Sequence, residues 1–310
     1  MLDRERQTAD YYISKVNRSL DYIEDHFHSD LSIHEIASFA GISPYHFHRI
    51  FQAVTGESLY ACVIRLRIER AAARLLTTSI SVTEAAYSCG FNDAATFSRA
   101  FKKQLGLSPS IWRRKKQKGQ DFGKMRKIDH AHTGGSGYNF SNSMNGKWLI
   151  TPLGVDLKEE PARNIAYVRR QGAFAGDPGF FRDLYSDMSR RYGLISPEKK
   201  RIYVIYHNPL GITPDQQLRV SMGFEADEPE DAVANPDVIR LEEGLYIQAR
   251  YEPGNREYGG AWSDLYRNIL PSRGLEPRDG FAYERYAPDC HDRNRGVTRV
   301  DICVPVQKLK

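Results

Sequence analysis

Residues 32–56 read SIHEIASFAGISPYHFHRIFQAVTG, and residues 81–106 read SVTEAAYSCGFNDAATFSRAFKKQLG. Both stretches carry the same instructions in the same order. Ser32 precedes an apolar-periodic run with Glu35 three positions on, and Ser81 precedes another with Glu84. A serine hydroxyl that accepts from the third amide, with an acid reaching back, starts a helix as a capping box. Gly41 and Gly90 end those helices, because a left-handed backbone is cheap only without a β-carbon. Ser43-Pro44 then restarts the first copy, with serine as N-cap and proline at the first helical position. Asp93 caps the restart in the second copy. The serine, glutamate and glycine positions are offset by 49 residues, whereas Phe47/Phe97 and Phe51/Phe101 are offset by 50. The second turn is therefore one residue longer. Two short helices joined by a tight glycine turn, written twice, predict a duplicated helix-turn-helix.

The flanks extend the helical region. Tyr12, Val16, Leu20, Ile23 and Phe27 recur at helical spacing ahead of the first copy. Between the copies, Leu59, Val63, Leu66, Ala73 and Leu76 suit one face of a long connecting helix. Arg65, Arg67, Arg70 and Arg74 read as its solvated face. Ser108-Pro109 starts a last short helix. Residues 119–147 are rich in Gly, Ser, Asn and His and poor in large aliphatics, which is linker chemistry. After Trp148 the pattern changes to short β-like runs broken by Pro and Gly. We set the domains at 8–118, 119–147 (linker) and 148–310.

The third region reads as two similar halves. VDLKEEPARNIAYVRRQGAF is a strand, FFRDLYSDMSRRYGL a helix, and KRIYVIYHN and QLRVSMGFEA two strands. VIRLEEGLYIQARYEPG, AWSDLYRNILPSRGL, FAYERYAP and TRVDICVPV repeat that order. The expectation is a duplicated β-α-β-β unit, an α+β domain behind an all-α one.

Composition narrows the function. Residues 1–118 carry 17 Lys/Arg against 12 Asp/Glu, and residues 148–310 carry 23 against 25, so the basic excess sits on the helical region and favours a polyanion there. No apolar run reaches membrane-spanning length and the N-terminus lacks an apolar signal core, so we expect a cytoplasmic protein with no membrane partner. Cys62, Cys89, Cys290 and Cys303 form no CxxC pair and read as reduced thiols. His46 and His48 are two residues apart, on different faces of a helix, so no metal site is expected. We expect no cofactor and no catalytic residue.

In a helix-turn-helix the exposed N-terminal face of the second helix meets base edges in the major groove. In the first copy that face is Tyr45, His46, His48 and Arg49, with Phe47, Ile50 and Phe51 turned inward. In the second it is Asn92, Ala95, Thr96, Ser98 and Arg99, with Phe97 and Phe101 inward. Arg49 and Arg99 are the base readers, through paired hydrogen bonds to guanine. Ala95 can read little, so the second face carries less sequence information. Lys102, Lys103, Arg113, Arg114, Lys115 and Lys116 are candidates for phosphate contacts.

IHEIASFAGISPYHFHRIFQAVTG, RLRIERAAARLL and VTEAAYSCGFNDAATFSRAFKKQLGLSPSIWR together resemble the AraC/XylS family of transcription regulators. The resemblance covers residues 10–115. It implies seven helices, with one recognition helix in each of two successive turns of one face of double-stranded DNA. RYEPG, AWSDLYRNILP, FAYERY and VDICVPV resemble the gyrase-inhibitor-like effector-binding domain over residues 152–307, and the combination resembles Rob-type regulators. That resemblance implies an aromatic pocket between the halves with a carboxylate on the strand FAYERY, here Glu284. Trp262, Tyr266, Phe281, Tyr283, Tyr286 and Tyr167 are candidate walls. Strand alternation puts Glu284 and Tyr286 on one face and Tyr283 on the other. A flat apolar cation suits aromatic walls and a buried carboxylate. The expected function is a sequence-specific DNA-binding activator of transcription, with RNA polymerase as partner and a small apolar or cationic effector. A protein-contact module and a small-molecule hydrolase stay open as alternatives for the C-terminal domain.

Overall fold

The structure is a computed structural model and describes residues 2–117, 150–174, 178–193, 200–208, 213–226, 237–254, 257–288, 290–292 and 297–308. The chain divides into two compact units, Met1–Gln120 and Asp121–Lys310. The expected linker, 119–147, lies outside the described residues. No helix among the described residues is long and apolar enough to cross a membrane.

The first unit has seven helices: α1 (Leu2–His26), α2 (Ile33–Ala40), α3 (Pro44–Thr55), α4 (Leu59–Thr77), α5 (Val82–Ser88), α6 (Ala94–Leu105) and α7 (Pro109–Gln117). The two glycine turns match bond for bond. Gly41 N–H reaches Ser38 O at 2.9 Å and Ile42 N–H reaches Ala37 O at 3.0 Å. Gly90 N–H reaches Tyr87 O at 3.0 Å and Phe91 N–H reaches Ala86 O at 3.1 Å. These bonds satisfy carbonyls that a helix end leaves open.

The caps differ in detail. Ser81 and Glu84 form both halves of a capping box. Ser32 accepts from the Glu35 amide at 3.1 Å, but the Glu35 carboxylate instead takes the Tyr22 hydroxyl at 2.5 Å, so that box is half formed. Ser43 caps α3 by position, with no side-chain hydrogen bond.

Helix α4 is a wall shared by both copies. Its Leu59, Cys62, Val63 and Leu66 join a core with Val16, Leu20 and Ile23 of α1, Ile36, Ala37 and Ala40 of α2, and Phe47 and Phe51 of α3. It also packs against α5, α6 and α7. Phe91, Phe97, Phe101 and Trp112 run edge to face through the second copy, and the Trp112 indole donates to Ala72 O at 3.2 Å. Serving two cores changes which face of α4 is buried. Ala71, Ala72 and Leu75 are buried, whereas the expected Ala73 and Leu76 are only half-buried.

The expected solvated arginine face fails at two positions. Arg65 is buried and bonds both Glu57 and Glu69, the latter at 3.0 Å. Arg67 donates to three backbone carbonyls.

The second unit contains β1 (Gly154–Glu160), β2 (Arg163–Gln171), α8 (Pro178–Arg191), β3 (Ile202–Tyr206), β4 (Arg219–Glu225), β5 (Val238–Leu241) and β6 (Gly244–Tyr251). Helix α9 (Tyr258–Asp264) follows, continued by a π turn (Leu265–Ile269) and a last helical turn (Leu270–Ser272). Then come β7 (Leu275–Pro277), β8 (Tyr283–Tyr286), β9 (His291–Asp292), β10 (Val297–Thr298) and β11 (Val300–Lys308).

The duplicated order holds, with the first strand of each half divided in two. Pro161 ends β1, since it has no N–H for a ladder. Glu242-Glu243 separates β5 from β6, and Gly244 turns the chain at φ 128. The sheet order is β1-β6-β11-β8-β3-β4-β2-β5. The halves thus exchange strands: β1 of the first half pairs with β6 of the second, and β5 of the second pairs with β2 of the first. Neither half closes its own edge. Among the four cysteines, Cys62, Cys89 and Cys303 are buried thiols outside any disulfide and Cys290 is half-buried.

Gly90 tests the turn. It sits at φ 80, and a β-carbon there would lie 2.9 Å from Arg67 Cζ, Phe27 O and His28 O. Gly106, at φ 74, has nothing within 4 Å. In urea unfolding, Gly106→Ala should lose about 1–2 kcal/mol for the left-handed conformation alone. Gly90→Ala should lose clearly more, about 3 kcal/mol, from added steric strain. Equal losses would reject the steric account.

Candidate functional sites

The first candidate site is the pair of helices α3 and α6. Fully buried Phe47 and Phe51 on α3, and Phe97 and Phe101 on α6, turn the opposite faces outward. His46, His48 and Arg49 are exposed, as are Asn92, Ala95, Thr96 and Arg99, and Ser98 is half-exposed. Tyr45 lies in the first turn of α3, and its side chain is outside the described residues. Asn92 sits in the turn before α6 rather than on the helix.

The two faces are organised differently. Asp93 Oδ1 accepts from the Thr96 amide at 2.7 Å, and this backbone bond holds its carboxyl below the usual range. Arg99 donates to Thr96 Oγ1 at 3.0 Å. Of the expected phosphate contacts, Lys102, Lys103 and Arg114 are exposed. Arg113 departs from that expectation: its guanidinium bonds Ile80 O, which draws α7 against the α4–α5 connection.

The second candidate site is built on β8. Cross-strand register puts Glu284 opposite Val204 and Ile302, and Tyr286 opposite Ile202. Opposed residues share a face, so the Glu284 face is the one packed against α8 and α9. Each half has its own apolar core there, and Tyr206 and Tyr286 lie against both cores. Glu284 therefore sits at the seam between them.

Its surroundings are aromatic. Trp262 Nε1 donates to Glu284 Oε1 at 2.7 Å, and the Tyr286 hydroxyl donates to Oε2 at 2.7 Å. The Tyr206 hydroxyl adds a third bond. Tyr266 stacks on Trp262 at 6.2 Å and 17°, and Tyr206 meets Trp262 edge-on at 5.6 Å. Phe174 lies 5.7 Å from Tyr206. The π turn carries Tyr266, and such turns recur at functional positions.

Burial pushes the Glu284 carboxyl above the usual carboxylate range, and the hydrogen bonds from Trp262, Tyr286 and Tyr206 pull it back. Burial also raises the Tyr266 hydroxyl to about 12. Glu284 has no ion pair among the described residues. The arrangement can offset a positive charge that arrives between aromatic faces.

The structure brings together four of the expected ligand residues: Glu284, Tyr286, Trp262 and Tyr266. It does not bring Tyr167, nor Phe281 and Tyr283, which pack in the core on the opposite face of the sheet. Along β2, Ala166 and Val168 face the helices, so alternation turns Tyr167 to the opposite face. There it is fully buried with Tyr203, Tyr246 and Tyr283, under the Arg169 guanidinium at 4.7 Å. Sequence reasoning missed Tyr206 and Phe174. The alternation Ile202, Val204, Tyr206 marked the right face, but the β3–β8 pairing that brings Tyr206 to Glu284 is not local information.

A helix-turn-helix domain model matches residues 36–115, and a GyrI-like small molecule binding domain model matches residues 154–307. The HTH-type transcriptional activator AarP of Providencia stuartii is 32% identical over 108 residues, covering 35% of this chain and 80% of that protein. The right origin-binding protein of Escherichia coli (strain K12) is 35% identical over 95 residues, 31% of this chain and 33% of that protein. The uncharacterized HTH-type transcriptional regulator YbfP of Bacillus subtilis (strain 168) is 34% identical over 103 residues, 33% of this chain and 35% of that protein. The chain spans about a third of the length of the first curated relatives it matches. Duplicated turns, inward phenylalanines and these matches agree: the chain belongs to the AraC-type helix-turn-helix family, with a GyrI-like small molecule binding domain in its C-terminal half.

Proposed function

We propose that the chain is a cytoplasmic, sequence-specific DNA-binding activator of transcription that responds to a small apolar cation at Glu284. The activator reading is supported by the similarity to AarP, a transcriptional activator. RNA polymerase is the partner an activator requires. The DNA reading is supported by two outward faces, on α3 and α6, set on matching turns. Arg49 and Arg99 are its base readers, flanked by Tyr45, His46 and His48 on one helix and by Asn92, Ala95, Thr96 and Ser98 near the other.

The observation that carries the sensor reading is the Glu284 carboxylate: 2% exposed, walled by Trp262, Tyr266, Tyr206 and Tyr286, with no ion pair among the described residues. A buried carboxylate without a counter-charge is costly. A ligand cation supplies that charge, and the tyrosine and tryptophan faces add attraction.

An unbiased selection from random duplexes should yield a preferred site. Arg49→Ala and Arg99→Ala should each lose about 1–3 kcal/mol on it and relax the sequence preference at a few positions. Parent-like binding by both variants would reject the assignment.

A thermal-shift series with lipophilic quaternary ammonium and phosphonium dyes should stabilise the parent and not Glu284→Gln. No shift with any dye, alongside intact DNA binding, would favour a protein-contact role for this domain.

The pH dependence follows from the raised Glu284 carboxyl. Its folded-state value lies above the unfolded one, so its contribution to stability is full below the ordinary carboxylate range and fades as pH rises through the folded value. Without ligand, the stability of Glu284→Gln relative to the parent should therefore rise with pH across that window. Dye binding by the parent should strengthen over the same window as the carboxylate forms. A dye affinity that is flat with pH, or that falls as pH rises, would contradict the charge-offset role.

A further inference from the structure

Arg67 is half-buried on the connecting helix α4, and all three nitrogens of its guanidinium are engaged. Nε donates to Phe27 O and one terminal nitrogen to Ser29 O, both at 2.7 Å; the other terminal nitrogen donates to Gly90 O at 2.7 Å. Phe27 and Ser29 belong to the segment that leaves α1 and leads into the first helix-turn-helix copy. Gly90 is the turn of the second copy. One side chain on α4 thus ties three backbone carbonyls in two other segments: two in the exit of α1 and one in the turn that aims α6.

The chemistry suits a clamp. A guanidinium presents its donors in a rigid planar fork, so three bonds fix angle as well as distance. Cation-to-carbonyl bonds are stronger than neutral ones. The carbonyls at the end of α1 also favour a positive charge. The close approach needs the missing β-carbon of Gly90, which would otherwise stand 2.9 Å from Arg67 Cζ. Arg70, one turn further along α4, lies over the Phe27 ring at 6.0 Å and steadies the same segment. None of these groups is on the outward face of α3 or α6.

We propose that Arg67 is a positioning residue for DNA recognition: its fork sets the separation and angle of α3 and α6, and so the half-site spacing that the chain accepts. The proposal rests on the DNA reading above.

The test uses the full chain, Arg67→Met and the charge-keeping Arg67→Lys, on the selected duplex and on duplexes with one base pair inserted or removed between the half-sites. The parent should lose about tenfold or more in affinity on either altered duplex, the scale of a mismatched base pair. Both variants should lose a clearly smaller factor on the altered duplexes. Their penalty for a base change within either half-site should equal the parent's. In parallel, spin labels at Gln52→Cys on α3 and Lys103→Cys on α6, with Cys290→Ser, report the separation without DNA. Its distribution should be narrow in the parent, broader in Arg67→Lys and broadest in Arg67→Met. A uniform affinity loss with an unchanged spacing profile and distance distribution would overturn the proposal. Failure of both variants to fold would overturn it too, making Arg67 a residue of the fold. A parent with no two-part site would defeat the DNA reading, a failure that the DNA-free distances tell apart from loss of the clamp.

Discussion

The Glu284 carboxylate accepts the Trp262 indole N–H and the Tyr286 hydroxyl inside a seam where two apolar cores meet, and much of the C-terminal unit is arranged around that fact. A carboxylate removed from water is tolerated only where donors replace the hydration it loses. Phenylalanine could fill the same volume, but it has no donor. Tryptophan and tyrosine fill volume and donate from their edges, which explains why the walls are Trp262, Tyr206 and Tyr286. The donors come from both halves, Tyr206 from the first and the others from the second. The site therefore exists only while β3 and β8 are paired. The exchange of β1 and β5 between halves reinforces that dependence, because either half alone would leave a sheet edge open.

In the N-terminal unit buried charge is instead paired: Arg65 is drawn inward together with the carboxylate of Glu69. Arg65 and Arg67 are two residues apart on α4 and so face different directions. Arg65 bonds the carboxylates of Glu57 and Glu69 and helps the chain enter α4 after Gly56. Removing one partner of such a buried pair strands the other charge, which makes it intolerant of change without making it strongly stabilising. Arg67 hydrogen-bonds three neutral carbonyls, with the Asp30 carboxylate adding an electrostatic attraction from the segment that leaves α1. Ala71 and Ala72, buried beside Ile68 and Leu75, keep part of that face of α4 small.

What was legible in the sequence was local. Caps and glycine stops depend on residues within four positions of one another; the two glycine turns reappear with matching hydrogen bonds, whereas of the serine caps only the Ser81 box is complete. The faces of α4 were not legible, because a helix that serves two cores has two buried stripes and no single period describes both. The arginines followed from that error. Alternation within FAYERY separated Glu284 and Tyr286 from Tyr283 correctly. It could not rank Tyr167 against Tyr206, since both lie on the first half and only the pairing of β3 with β8 decides which reaches the seam. The strand break at Pro161 was local and readable, because proline offers no ladder N–H and its neighbours, KEEPARN, are charged and polar.

The two reading faces differ in more than their inventory of polar groups. Among the described residues Arg49 has no hydrogen-bond or ion-pair partner, whereas Arg99 is held by Thr96 one turn back, beside the Asp93 cap. An arginine side chain carries about 2 kcal/mol of rotamer entropy, much of it lost when both ends of the fork engage a base. Arg99 has surrendered part of that freedom before any contact forms, and the neighbouring carboxylate of Asp93 further biases where its charge rests. The richer face on α3 thus starts from a looser arginine, and the poorer face on α6 from a more ordered one. Fewer groups held in place and more groups left mobile move binding free energy in opposite directions. The count of polar side chains alone therefore overstates the difference between the two helices.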